Sequence, residues 1–144
     1  MIAIDTNILV YAHREGLPKH VLALKRLRTL AEGQDLWAIP VFCLGEFLRV
    51  VTHTRIFSPP TPVREAVEFL EEVLKSPSVR VLHPGDRFWG LLAEVCGEGD
   101  ARGNLVFDAQ LAAVMREHGA RDLLTEDRDF SRFPTLRTFG LGEP

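Results

Sequence analysis

Residues 1–13 read MIAIDTNILVYAH. The apolar run Ile2, Ala3 and Ile4 meets a polar trio, Asp5, Thr6 and Asn7, before apolar residues resume at Ile8, Leu9 and Val10. This is the pattern of a buried strand that ends on a carboxylate and turns at once into a helix. Outward from that point the alternation repeats. Val21, Leu24, Leu27 and Leu30 recur at helical spacing and predict a helix over 18–32, which Gly33 ends. A short strand over 36–39 follows, then a helix through Val51 with Pro40 in its first turn. Pro59, Pro60 and Pro62 punctuate the way to a helix over 63–74, and 79–82 reads as a third strand. A helix over 88–96 is expected to break at Gly97, Gly99 and Gly103, and Asn104 to cap the next, which runs to about 118 before Gly119. Strands over 122–125 and 136–139 close the chain.

Strands separated by helices need crossover connections, and crossovers build a parallel sheet covered on both faces. The expected fold is a three-layer α/β/α sandwich with a central parallel sheet of about five strands, in one domain over 1–144. The length of 144 residues and the 46% hydrophobic content fit one such core. A net charge of −3 exerts no general attraction on polyanions, so nucleic-acid binding would need a local basic patch or metal ions. Cys43 and Cys96 lack a CxxC spacing, and no secretory leader is evident, which suits reduced thiols in a cytoplasmic protein. No apolar stretch approaches the roughly 18 residues of a membrane span.

In an open parallel sheet, ligands bind beyond the carboxyl ends of the strands, near a switch in strand order. Asp5 ends the first strand, and Asp127 follows the strand ending in "LLT". If those strands are neighbours, the two carboxylates converge. Asp108 has Asn104, Leu105, Leu111 and Ala112 three and four residues away, beside the stripe its helix should bury. Glu46 borders the stripe of Phe47 and Val51. Singly, each acid has a plain structural explanation: a strand-end cap for Asp5, a pair with Arg49 for Glu46, a buried ion pair for Asp108, a turn for Asp127. Four acids at one sheet edge, however, would repel one another and need a cation. The three lysines, Lys19, Lys25 and Lys75, are not beside them in sequence, so Mg²⁺ or Mn²⁺ is the expected counter-charge. Such an ion can acidify water and neutralise charge on a phosphoryl group, which is the chemistry of phosphodiester hydrolysis.

The segments "DTNILVYA" (5–12), "GEF" (45–47), "ARGNLVFDAQLAA" (101–113) and "TEDRDF" (125–130) occur in the order of the motifs of PIN-domain ribonucleases. Over essentially the whole chain, the sequence resembles the VapC-like toxins of VapBC toxin–antitoxin pairs. The resemblance implies an endoribonuclease that cuts RNA with a metal-activated water. It makes Asp5, Glu46, Asp108 and Asp127 the catalytic acids, with Asp5, Asp108 and Asp127 as metal ligands. Asp129 competes with Asp127 for the fourth position, Asn7 and Thr125 match polar positions that arrange the pocket, and Asn104 serves either as helix cap or in the pocket. The resemblance also implies a homodimer held inactive by a VapB-like antitoxin, with "PKHVLALKRLRTL" (18–30) and "PVREAVEFLEEVL" (62–74) as groove or dimer surfaces.

Arg14, Arg49, Arg102, Arg128 and Arg132 lie near the motifs and could grip phosphates. His13 and His20 are expected to face solvent or cap helices, and Phe42, Phe47, Phe88 and Trp89 to serve the core or an interface. Two other readings compete. A haloacid-dehalogenase-like phosphotransferase needs an acid two residues after Asp5, where Asn7 stands, and a late lysine, whereas none follows Lys75. A non-catalytic domain would use the acids to bind Mg²⁺ or a partner's arginine.

Overall fold

The computed structural model describes residues 1–142. Five parallel strands form one sheet: β1 (Ile2–Ile4), β2 (Trp37–Pro40), β3 (Val79–Leu82), β4 (Asp122–Leu124) and β5 (Arg137–Phe139), in the spatial order β3-β2-β1-β4-β5. The helices are α1 (Thr6–His13), α2 (His20–Glu32), α3 (Val41–Val51), α4 (Val63–Leu74), α5 (Phe88–Gly99) and α6 (Leu105–Glu117), with a short 3-10 helix at Arg128–Arg132. Helix α1 packs on α2 and α3, and α3 on α4, whereas α5 packs along α6. Because parallel crossovers are right-handed, these two groups fall on opposite faces of the sheet and make the outer layers of the expected α/β/α sandwich.

The central strands are short and apolar because both their faces are covered. Ala3, Ile4, Trp37, Ala38, Ile39 and Leu123 are fully buried, while Arg80 on β3 and Arg137 on β5 stand exposed at the two edges. Strand β1 pairs with β2 through Ile2 and Trp37 and with β4 through Ile4 and Leu124. The chain leaves β1 toward β2 and β3, then returns to the other side of β1 as β4. The strand order therefore reverses between β1 and β4, and the backbone N–H of Asp5 donates to the Leu124 carbonyl (3.0 Å) at that seam.

Several local expectations are corrected. Helix α5 runs through Gly97 and ends at Gly99, where Asp100 takes a left-handed conformation (φ 45°). Gly99 is required for contact: an added Cβ would lie 2.6 Å from the Phe133 ring. Gly119 does stop α6, with φ 72°. On α2 the buried residues are Ala23 and Leu27, whereas Val21 is 73% exposed. Asn104 occupies the cap position of α6 but makes no capping hydrogen bond. His13 is half-buried: its ring packs on Phe47 and Phe69 at centroid distances of 5.5 and 4.8 Å, its Nε2 lies 3.0 Å from Thr61 Oγ1, and burial lowers its pKa. His20 donates from Nδ1 to the Tyr11 carbonyl (2.8 Å). Cys43 is buried, and burial pushes its thiol pKa upward, as suits an inert core cysteine; Cys96 is half-buried, and both thiols are free.

Candidate active site

The seam between β1 and β4 opens into a cleft of about 890 Å³ whose walls are α3, α6 and the loop after β4. Asp5 ends β1 at that seam, behind the residues that line the cleft. Only 8% exposed, it is oriented from three directions: its Oδ1 accepts from the Thr6 backbone N–H (2.7 Å), and its Oδ2 accepts from Thr125 Oγ1 (2.7 Å) and Asn7 Nδ2 (3.3 Å). Asn7 also reaches the other strand's end, donating to Thr125 Oγ1 (3.3 Å) and accepting from the Glu126 backbone N–H (3.4 Å). The polar trio that interrupts the first apolar run thus ties the ends of β1 and β4 together.

Thr125 extends the tie by accepting from the Asp127 backbone N–H (3.0 Å). Asp127 Oδ1 in turn accepts from the Asp129 backbone N–H (2.9 Å), a local turn that starts the 3-10 helix. Asp108 comes from the first turn of α6, half-buried. Carboxylate oxygens of Asp108, Asp127 and Asp129 all lie within 4.8 Å of one another. Glu46, on α3, lines the same cleft. Asp129 therefore joins Asp127 in the cluster instead of replacing it, while Asp5 stands behind the closest trio with its oxygens already hydrogen-bonded.

This concentration of negative charge is recorded in the acids themselves. Burial raises Asp108 from 3.8 to about 7, with repulsion from Asp127, Asp5, Asp129 and Glu46 adding to the rise. Asp5 is raised to about 6, again mainly by burial, against the lowering effect of its Thr125 and Thr6 hydrogen bonds; Glu46 and Asp127 push it up further. Among the described residues, none of the ion pairs includes any of these five acids. The bland alternatives for Glu46 and Asp108, pairing with an arginine, are thereby removed. The donor set is all oxygen and has no ion-pair partner among the described residues, which fits a hard divalent cation better than a soft metal.

The arginines divide by contact. Arg14 donates to Thr61 Oγ1 (3.2 Å) and the Pro59 carbonyl (3.1 Å), Arg102 pairs with Asp100 (3.1 Å), and Arg132 donates to the Gly99 carbonyl (3.0 Å). Arg49 lines the cleft, and neither it nor Arg128 makes an ion pair among the described residues. Phe47 is buried, Phe42 lines the cleft and packs on Phe88 at a centroid distance of 5.8 Å, and Trp89 is 76% exposed. Sequence reasoning passed over Phe107, which precedes Asp108 and stands 61% exposed in the cleft wall. Its apolar character had no signal to distinguish it from the core residues around it.

A parallel sandwich with acids gathered at its topological switch is the architecture of a PIN domain, and the chain belongs to that family: the PIN-domain model matches residues 2–136. Ribonuclease VapC43 of Mycobacterium tuberculosis is 38% identical over 137 residues, spanning 95% of this chain and 92% of that protein. Ribonuclease VapC31 of the same organism is 37% identical, with 95% and 96% covered. Among solved structures, VapC20 of Mycobacterium tuberculosis, described as a Sarcin-Ricin loop cleaving toxin, superposes with a TM-score of 0.66 at 26% identity, covering 91% of this chain and 93% of that one. The VapBC2 structure from Rickettsia felis gives a TM-score of 0.71 at 22% identity over 97% of this chain and 98% of that one, a likeness of fold.

Proposed function

We propose that this chain is a metal-dependent endoribonuclease, the toxin of a VapBC-type pair acting in the cytoplasm. The observation that carries the reading is the group of carboxylates at the β1/β4 seam, with no ion pair among the described residues. Relatives named as VapC ribonucleases across nearly the whole chain support the choice of RNA as substrate. No helix among the described residues is long and apolar enough to cross a membrane, in keeping with a soluble setting.

Asp5, Asp108 and Asp127 would hold the cation, with Glu46 completing the catalytic acids and Asp129 close enough to share the load. The cation is Mg²⁺ or Mn²⁺ on the grounds of its hard oxygen donors. When bound, it supplies a Lewis acid for the scissile phosphodiester and lowers the pKa of water. The remaining work belongs to the chain. Thr6, Asn7 and Thr125 fix both oxygens of Asp5, so the carboxylate does not have to reorganise as charge develops. Asp108, raised by burial and by its acidic neighbours, would ionise to hold the cation. Glu46, which lines the cleft from α3, would orient water toward phosphorus.

The same negative cleft suits a VapB-like antitoxin that inserts a basic side chain, and a homodimer is the expected assembly. Solved neighbours include VapBC complexes from Haemophilus influenzae and, bound to DNA, from Salmonella typhimurium. The test is cleavage of structured RNA with Mg²⁺ or Mn²⁺ and with chelator. The wild type should cut only with the cation, and Asp5→Asn should lose at least about 100-fold in rate while remaining folded. Undiminished cleavage by Asp5→Asn would remove the assigned site, and cation binding without any cleavage would favour a partner-binding domain.

A further inference from the structure

The cleft presents a difficulty for any polyanion. Its lining carries Glu46, Asp108, Asp127 and Asp129 but a single cationic side chain, Arg49. A divalent cation held by these acids would compensate at the scissile phosphate, yet the flanking nucleotides would still meet a wall with little positive charge. Affinity there has to come from contacts that do not depend on net charge. Base stacking on an aromatic ring is such a contact, and every base offers a π face.

Phe107 meets the requirement. It sits on the first turn of α6, immediately before Asp108, and keeps 61% of its surface exposed, whereas Ala109, Leu111, Ala112 and Ala113 of the same helix are buried. Covering that ring would remove its apolar face from water, and its place in the cleft wall beside Asp108 puts it within reach of a nucleotide bound there. Across the cleft, Arg49 projects from α3, exposed and without an ion pair among the described residues. We propose that Phe107 is a nucleobase-stacking residue for single-stranded RNA, and that Arg49 binds a phosphate next to the stacked nucleotide. This rests on the ribonuclease reading and adds to it a basis for choosing unpaired RNA: a base inside a duplex has no free face for Phe107 to cover.

Phe107→Ala, Phe107→Trp and Arg49→Ala are compared with the wild type in RNA cleavage. Their binding to a fluorescent single-stranded RNA and to its duplex is compared in the Asp5→Asn background, with Mn²⁺ present. Phe107→Ala should raise KM and the single-strand Kd roughly 5- to 100-fold with little change in kcat, and Phe107→Trp should restore them. Duplex binding should be weak and indifferent to the change. Arg49→Ala should flatten the salt dependence of single-strand binding by about 0.7 in the log–log slope, the share of one phosphate. The exposed position of Phe107 predicts unchanged thermal midpoints for its variants. If the wild type cuts RNA and Phe107→Ala matches it in KM and Kd, the stacking role is wrong and the ribonuclease reading stands. Unaltered RNA binding together with altered self-association would assign Phe107 to a protein interface and overturn the proposal. A wild type that cuts no RNA under either cation would remove both readings.

Discussion

The two ends of α6 treat charge in opposite ways. At its C-terminal end Arg116 donates to both oxygens of Glu98 (3.2 and 2.7 Å) and to Thr135 Oγ1 (2.8 Å), and lies 3.6 Å from Glu94. Next to it, Glu117 accepts from the backbone N–H groups of Gly85 (2.7 Å) and Arg87 (3.0 Å). The hydrogen bond from Arg116 holds the Glu98 carboxyl below its ordinary range. At the N-terminal end Asp108 faces Asp127 and Asp129, none of the three in an ion pair among the described residues, and is raised to about 7. An acid near a helix N-terminus and a base near its C-terminus both agree with the helix dipole, so the dipole does not separate the two ends. Pairing does: at one end the protein neutralises its carboxylates, and at the other it leaves that to something from outside.

The sharpest way to break this comparison is to neutralise one acid at each end. Asp108→Asn should reduce RNA cleavage at least about 100-fold, whereas Glu98→Gln should leave the rate unchanged in the same assay. Equal effects would mean that the two ends do not differ in kind.

The pH dependence of stability comes next in size. Asp5 is protonated more readily in the folded state, about 6 against 3.8, and Asp108 likewise, at about 7. At these two carboxyls the folded state therefore holds more protons than the unfolded chain between these values, and their contribution to stability falls as pH rises. In chelator, the wild-type thermal midpoint should drop from pH 4 to pH 8 relative to Asp5→Asn, the buried Asp5 contributing on the order of 2 kcal/mol, while the lowered His13 and Glu98 add an opposite slope common to both proteins. Added Mn²⁺ should flatten the drop. A midpoint that changes with pH in the same way in the wild type and in Asp5→Asn would contradict the raised carboxyl of Asp5.

The smallest effect belongs to the paired end. Arg116→Ala removes partly exposed ion pairs and should cost about 1 kcal/mol in denaturant unfolding, with cleavage retained.

Much of this difference could be read from residue order. The helix over 63–74 and the strand over 79–82 are framed by prolines and apolar spacing, and both occur with those bounds. Asp5 and Asp127 could be placed because strand ends and a switch in strand order are topological facts, and Asp108 because its helical neighbours are apolar. Other features depend on partners far away in sequence. The continuation of α5 through Gly97 outweighs a helix penalty of about 1 kcal/mol, and it runs where α5 packs along α6. His13 is drawn inside by Thr61 and Phe69, some 50 residues on. The entry of Asp129 into the cluster requires the turn in which Asp127 accepts from its backbone, and the exposure of Phe107 requires knowing which face of α6 the cleft leaves open.

Calorimetric titration of the chain with Mn²⁺ near pH 6.5, in buffers of different ionisation enthalpy, tests the need for an outside cation most directly. Binding should be accompanied by proton release, since the raised carboxyls must ionise to hold the ion. Asp108→Asn and Asp127→Asn should abolish the binding, and Glu98→Gln should preserve it. Failure of the wild type to bind, or binding that survives Asp108→Asn and Asp127→Asn with its proton release intact, would contradict a shared cation at the β1/β4 seam.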